Sequence, residues 1–259
     1  MEEFSRQKIG YEFLERYTGS KIADFQPYIL LANTDSYLNK FAELTGQPIV
    51  HGSSMSICHD PQNKISLINF GIGSPLAALI AELLSLIKPQ AVLLLGLCGG
   101  LREHYKIGDY FNPVAAIRAD GTSSTYLPER CPALSSFVVQ RHVCQVLEAQ
   151  QKPYHTGVIH TTNVRFWEFK ESFKASLKEE RSQAIDMECA TLFTVGFTYY
   201  LVIGALMLIT DLPLQPNGVK TIASSRRVTK QYLTEHLNLG VTTMLELQQT
   251  PSDRLHYQF

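Results

Sequence analysis

Short continuous apolar runs alternate along the chain with amphipathic stretches, a pattern that predicts an α/β fold. The runs at 27–33 and 64–70 are typical of strands, and 48–58 alternates loosely between polar and apolar residues. Residues 91–95 are apolar throughout, as expected of a strand covered on both faces. A helix is predicted over 74–88, between two of these strands, so the connection is a parallel crossover.

The start and end of that helix are marked by single residues. Ser74 and Pro75 suit the N-cap and the first turn, and Pro89 follows the last predicted residue. Elsewhere the periodicity predicts further strands at 112–118, 157–161 and 203–210, and helices near 136–151, 165–180, 187–200 and 225–248.

The pattern predicts one domain over residues 1–259. Residues 1–26 form a short polar lead-in with one amphipathic helix, and no repeat or linker interrupts the rest. The apolar run at 199–209 is too short to span a bilayer as a helix, and the acidic start does not resemble a signal peptide. We therefore expect a soluble, cytoplasmic protein with no membrane partner.

Composition narrows the function classes. The formal net charge of −1 gives no basic footprint, so nucleic acid is not an expected partner. The five cysteines include no CxxC pair, and the eight histidines show no HExxH spacing. The sequence thus predicts neither a metal site nor a cofactor.

Two glycine clusters follow predicted strands, at 71–73 and 96–100. Neither carries the lysine of a P-loop, and Leu76 occupies the place of the third small residue of a dinucleotide fingerprint. Each cluster is either a simple tight turn or a place where a ligand approaches the backbone closely. The second reading has support, because ligands of open α/β sheets bind at the carboxyl ends of strands.

Two acids interrupt an apolar segment, AIDMECATLF at 184–193. Asp186 and Glu188 would point about 200° apart on one helix, so they cannot share a helix face. A strand ending at Ile185 followed by a helix makes Asp186 an N-cap and places Glu188 in the first turn. Both acids either cap that helix or take part in chemistry.

A third acid, Asp211, ends the apolar strand of GALMLITDLPL. Partial desolvation at such a position raises the pKa of a carboxyl group and favours the protonated form. Asp211 is therefore a candidate proton donor, and the alternative is a turn or N-cap aspartate.

Several motifs occur together in a recognisable order: GIGSP, GLCGGL, TTN, IDMECATLF and ITDLPL. In this order and spacing they resemble the nucleoside phosphorylase and nucleosidase superfamily, over residues 27–248. The segments NPVAAIRADGTSSTYLP and NGVKT are similar to segments of the catalytic domain of bacterial AMP nucleosidases. The longer members of that family have an additional N-terminal regulatory domain. The resemblance implies a central mixed, mostly parallel sheet flanked by helices, in a homohexamer built from dimers.

The resemblance also implies roles for single residues. Met187 would pack against the ribose, Glu188 would accept hydrogen bonds from its hydroxyl groups, and Asp211 would protonate N7 of a 6-aminopurine. Asp186 would then be structural, and Asp120 is a candidate base for the attacking water. The remaining candidates for substrate binding are Cys98, Gly99, Arg118, Thr122, Ser123, Arg165, Phe166, Trp167, Lys220 and Thr221.

These candidates divide by chemistry. Arg118, Thr122, Ser123, Lys220 and Thr221 offer the charged and hydroxyl donors that a 5′-phosphate takes. The family's base-contacting segment matches 165–167, where an aromatic ring could stack on adenine or simply pack in the core. Arg118 or Lys220, taken alone, is equally typical of a solvated charge on the protein surface.

Two leucines bear on the attacking group. Phosphorylases of this superfamily carry an arginine and a serine around the glycine segment, where this chain has Leu94 and Leu97. Two apolar side chains do not bind free phosphate, so the resemblance implies attack by water. The predicted reaction is hydrolysis of AMP to adenine and ribose 5-phosphate. Alternatives are a nucleosidase or phosphorylase acting on unphosphorylated adenosine-type nucleosides, a non-catalytic AMP sensor, and a structural assembly protein.

Overall fold

The computed structural model describes residues 2–250, with side chains from residue 5 onward. Residue 1 and residues 251–259 of the predicted domain lie outside the described residues. The helices are α1 (Glu2–Thr18), α2 (Asp35–Thr45), α3 (Ser74–Ile87), α4 (Phe137–Ala149), α5 (Glu171–Glu179), α6 (Cys189–Thr198) and α7 (Ile222–Leu247). The strands are β1 (Tyr28–Ala32), β2 (Ile49–His51), β3 (Ser56–Asp60), β4 (Ile65–Asn69), β5 (Ala91–Gly100), β6 (Tyr110–Ala119), β7 (Ala133–Leu134), β8 (Tyr154–Thr162), β9 (Ala184–Asp186) and β10 (Ile203–Asp211).

All these strands belong to one mixed sheet, in the order β10-β6-β8-β9-β5-β1-β4-β3-β2, with β7 paired to β6. Parallel pairs join β4, β1, β5 and β10 in turn, and also β6, β8 and β9. Antiparallel pairs join β10 to β6, β5 to β9, and the β2–β3–β4 edge. Because β10 pairs with β5 as well as β6, the strands β5, β10, β6, β8 and β9 close into a ring.

The core lies on both sides of this sheet. Along β1, Ile29 and Leu31 join one apolar cluster, and Leu30 joins the other, as the alternation of a strand requires. Helices α3 and α6 contribute to the first cluster, and α2, α4 and α7 to the second. The expected fold, a mixed sheet flanked by helices, is confirmed.

At the second glycine cluster the tight-turn alternative is wrong, because β5 continues through it to Gly100. Neighbouring side chains explain why small residues are needed there. A Cβ added at Gly96 would lie 2.5 Å from Met207 Cε, and one at Gly99 would lie 3.1 Å from Ile185 Cγ2. The strand is thus extended backbone in close contact with β9 and β10.

The structure differs from the prediction at three places: the start of α3, helix α2, and residues 165–180. Helix α3 is capped by Gly73 at φ 98°, and the Ser74 hydroxyl instead donates to the Met187 carbonyl at 2.8 Å. Helix α2 was not predicted, and the helix expected at 165–180 is a short 3₁₀ turn, Trp167–Phe169, followed by α5. Within the described residues, no helix has both the length and the apolar character needed to cross a membrane.

Candidate active site

Several strands end at one cleft of about 230 Å³. They are β1, β5, β8, β9 and β10, and each delivers its carboxyl end or the residues just after it, which is where α/β folds bind ligands. The polar and sulfur-containing side chains that line the cleft are Asn33, Thr34, Cys98, Thr162, Arg165, Glu168, Asp186, Met187, Glu188, Thr210, Asp211 and Lys220.

Asp186 is held by hydrogen bonds on both carboxylate oxygens. Oδ1 accepts from the Thr161 hydroxyl at 2.6 Å, and Oδ2 accepts from the backbone N–H groups of Glu188 and Cys189 at 3.1 and 2.7 Å. The N-cap of α6 is Glu188 and not the predicted Asp186, which instead ends β9 and accepts from the first N–H groups of the helix with its side chain. Asp186 thereby fixes the backbone that carries Glu188.

Glu188 is 1% exposed and turns away from the helix toward the first glycine cluster. Its Oε1 accepts from the backbone N–H of Gly73 at 2.8 Å, a contact that the left-handed conformation of Gly73 permits. Burial and the neighbouring Asp186 charge raise the pKa of Glu188 to about 8, against the opposing hydrogen bonds from Gly73 and Asn33. A hydroxyl-rich ligand would add donors to this carboxylate and favour its charged form.

Asp211 is the last residue of β10, at the carboxyl end of the strand, and it is 9% exposed. Burial is the main cause that raises its pKa, and the Glu168 carboxylate adds to the rise. The Thr210 hydroxyl, which donates to Asp211 Oδ1 at 2.8 Å, opposes it together with the Lys220 and Arg165 charges. The group is thus a carboxyl with an increased tendency to hold a proton, as a general acid requires.

Two cations share the Asp211 end of the cleft. Lys220 donates from Nζ to the Thr210 hydroxyl at 3.2 Å, and burial lowers its pKa. Arg165 contacts the Glu168 carboxylate, with 2.9 Å between Nη1 and Oε1. Both cations act on Asp211, so this end of the cleft combines a protonatable acid with positive charge.

Most of the predicted site residues come together in this cleft. Trp167 also packs inward, with its ring stacked on Phe173 at 5.5 Å between centroids. Phe166 does not line the cleft and is 71% exposed, and the Thr221 hydroxyl caps α7 by accepting from the Ser224 N–H. The predicted residues that line the cleft are Cys98, Gly99, Arg165, Trp167, Met187, Glu188, Asp211 and Lys220.

Arg118 lies outside the cleft, and its guanidinium group is occupied within the chain. It donates to the Ser123 hydroxyl and to the backbone carbonyls of Ser123, Leu127, Pro128 and Cys131. These are as many acceptors as a guanidinium has N–H donors. Arg118 therefore orders the following loop, and the structure gives it no free donor for a phosphate.

Asp120 and Ser123, which follow Arg118 in the chain, also use their hydrogen-bonding groups within the protein. Asp120 is 2% exposed, and it accepts from the Ser123 N–H, the Ser123 hydroxyl and the Thr191 hydroxyl at 2.6–2.7 Å. Asp120 and Ser123 are thus bonded to each other, and neither they nor Thr122 are among the cleft residues. The expectation that they meet substrate or water finds no support in the described chain.

Sequence reasoning missed five polar residues of the cleft: Asn33, Thr34, Thr162, Glu168 and Thr210. Asn33 and Thr162 stand at or just after predicted strands, so the rule that ligands meet strand ends could have found them. Glu168 carries no such signal, because only the folded segment before α5 brings it to Asp211. Over residues 2–250, no cluster of three or more His, Cys, Asp or Glu side chains has the arrangement of a metal site.

Comparison with known proteins gives a consistent result. Residues 27–246 match the family model of the Phosphorylase superfamily. The crystal structure of AMP nucleosidase from Bacteroides thetaiotaomicron VPI-5482 is 43% identical, with a TM-score of 0.83, covering 94% of this chain and 98% of that one. Uridine phosphorylase from Vibrio fischeri ES114 shares the fold at 20% identity, with a TM-score of 0.77 over 87% of this chain and 94% of that one.

A longer relative is also similar. AMP nucleosidase of Escherichia coli (strain K12) is 27% identical over an alignment of 303 positions, which covers 99% of this chain and 62% of that protein. This chain therefore spans less than two thirds of the length of that relative.

Glu188→Gln should make the free energy of unfolding less sensitive to pH. The folded pKa of about 8 lies above the unfolded value, so the folded protein holds a proton that the unfolded chain releases over this range. Stability of the wild type should fall as pH rises toward 8, by at most about 1.4 kcal/mol per pH unit from this group. Glutamine does not titrate and can still accept from Gly73.

Denaturant titrations near pH 5 and near pH 8 measure this difference, and the variant should gain stability relative to wild type at the higher pH. Glu43→Gln is the matched control, because the Glu43 side chain is 67% exposed. A difference between Glu188→Gln and wild type that stays constant with pH would contradict the expectation.

Proposed function

Because this chain belongs to the Phosphorylase superfamily, we propose that it hydrolyses the N-glycosidic bond of AMP to adenine and ribose 5-phosphate. The observation that carries the proposal is that Glu188 and Asp211 line the same cleft, close to Met187 and Lys220. The similarity to an AMP nucleosidase at 43% identity supports the choice of substrate.

Asp211 is proposed as the general acid. Cleavage of the bond builds positive charge on the ribose ring and negative charge on the departing base. A proton from Asp211 to N7 lets adenine leave as a neutral molecule, and general acids of this kind contribute roughly 10²–10⁴-fold. The raised pKa of Asp211, due first to its burial, keeps the proton available.

Glu188 and Met187 are proposed to hold the ribose. The Glu188 carboxylate would accept hydrogen bonds from the sugar hydroxyl groups, and in its charged form would stabilise the developing cation. Its position is fixed by the Gly73 N–H at 2.8 Å and by the hydrogen bond from the Glu188 N–H to Asp186. The sugar would then meet a preorganised group, as catalysis by electrostatic stabilisation requires.

Water is proposed as the nucleophile. Leu97 lines the cleft on β5, and Leu94 is fully buried, at the two positions where a phosphorylase would need polar groups for inorganic phosphate. An apolar side chain does not compensate the desolvation of a dianion. For the 5′-phosphate we propose Lys220, the one predicted phosphate ligand that lines the cleft.

We also propose a homo-oligomer, a hexamer built from dimers, in the cytoplasm. Three large apolar side chains near the cleft are exposed in one chain: Ile72 by 61%, Phe166 by 71% and Phe169 by 75%. A second copy that covers them would remove apolar surface from water. The five cysteines are all free, as is usual in a reducing compartment. Sedimentation velocity would measure the assembly, and a monomer would contradict it.

Adenine release from AMP should occur without inorganic phosphate, and AMP should be a better substrate than adenosine. The assay is chromatographic detection of adenine from each substrate, with and without phosphate. Release that requires phosphate would indicate a phosphorylase, and preference for adenosine would indicate a nucleosidase for unphosphorylated substrates. AMP binding without any release would indicate a sensor.

Asp211→Asn should lower kcat by roughly 10²–10⁴-fold, with a smaller change in AMP affinity, because the proton matters in the transition state. Steady-state kinetics and equilibrium binding of AMP separate the two effects. Asp24→Asn is a matched control, because Asp24 is exposed and lies outside the cleft. Wild-type kcat in Asp211→Asn would remove Asp211 from its proposed role.

A further inference from the structure

Glu168 has a carboxylate that the chain satisfies only in part. Its side chain is 4% exposed, and Oε1 pairs with Arg165 Nη1 at 2.9 Å. Oε2 is buried, and no residue of the described chain gives it a hydrogen bond. A buried carboxylate oxygen without a donor is costly, so such an atom calls for a partner that the single chain does not supply.

Glu168 lines the same cleft as Asp211 and sits in the 3₁₀ turn that precedes α5. Its charge contributes to the raised pKa of Asp211, whereas the groups that act on Glu188 come from Asp186, Gly73 and Asn33. The carboxylate therefore belongs to the Asp211 end of the cleft, where the purine is placed by the proposed function.

Adenine presents two groups on the edge that would face Asp211. N7 accepts a proton, and the adjacent 6-amino group is a hydrogen-bond donor, whereas 6-oxopurines present an acceptor oxygen at that place. A donor on the base beside a free carboxylate oxygen is a complementary pair. An acceptor oxygen there would instead face a negative charge.

We propose that the Glu168 carboxylate accepts a hydrogen bond from the 6-amino group of the base and so selects 6-aminopurines over 6-oxopurines. The inference rests on the proposed function for the identity of the substrate, and it adds a specificity-determining residue to it. Arg165 is the positioning partner, because it holds Oε1 and leaves Oε2 for the ligand. The base would supply the hydrogen bond that Oε2 lacks.

Glu168→Gln tests the assignment. If the glutamine oxygen keeps the contact with Arg165, its NH₂ group faces the 6-amino donor, which removes the bond to adenine and suits a 6-oxo group. The value of kcat/KM should fall roughly 10- to 100-fold for AMP, the range for a hydrogen bond to a charged group. For purine riboside 5′-phosphate, which lacks the amino group, it should change little, and IMP should gain relative to AMP.

Glu171→Gln is the matched control, because the Glu171 side chain is 87% exposed and pairs with Lys174. It should retain wild-type rates with all three nucleotides. Equal losses in Glu168→Gln for AMP and for purine riboside 5′-phosphate would overturn the proposal, because Glu168 would then serve only to hold Arg165 or the fold.

Base binding separates this inference from the proposed reaction. Calorimetry with wild-type protein should give adenine an affinity roughly tenfold or more above that of purine, and Glu168→Gln should lose this preference. If AMP is not hydrolysed, the proposed function fails while this comparison still tests Glu168. Equal affinities of the wild type for adenine and purine would overturn the role of Glu168, including the case in which Glu168→Gln does not fold.

Discussion

The three hydrogen bonds of the Asp186 carboxylate hold the candidate site in place. They join the Thr161 hydroxyl on β8 to the backbone at the start of α6, so β8, β9 and α6 meet at one buried charge. The Thr161 hydroxyl oxygen in turn accepts from the Ala190 N–H at 2.9 Å. Removing any of these partners would leave a buried charge poorly compensated, so the turn that presents Met187 and Glu188 has little freedom.

Burial of acids gives the cleft its chemistry. Asp186, Glu188 and Asp211 are all desolvated, and burial is the largest cause of the raised pKa in each. Their partners differ, because Asp186 is bonded by backbone and hydroxyl donors, Glu188 by Gly73, and Asp211 by a threonine beside a lysine. One folding constraint, carboxylates at the ends of buried strands, thus yields a structural acid and two candidates for catalysis.

Local sequence signals predicted the mixed sheet flanked by helices, the strand-to-helix turn that carries Asp186 and Glu188, and the strand end that carries Asp211. Asp211 ends its strand as expected, whereas the turn from strand to helix at 184–189 is displaced by about two residues, with Asp186 ending β9 and Glu188 as the N-cap of α6. The glycine segment of β5, the internal bonding of Arg118 and the arrival of Glu168 depend on contacts between distant segments. Propensity and spacing do not report such contacts, so they left a turn at 96–100 as an alternative and offered Arg118 as a phosphate ligand or a surface charge, whereas its donors are used within the chain.

The closed ring of β5, β10, β6, β8 and β9 limits where the sequence of such a protein can accept insertions. Each strand is paired on both sides within the ring, so adding one residue inside a strand would flip its outward and inward faces and disturb both neighbours. The connections between strands are under no such restraint and tolerate changes in length and composition. Under the proposed function, a different base would therefore be accommodated most easily by changes in the connections, such as the one before α5, while the acids at the strand ends keep their positions.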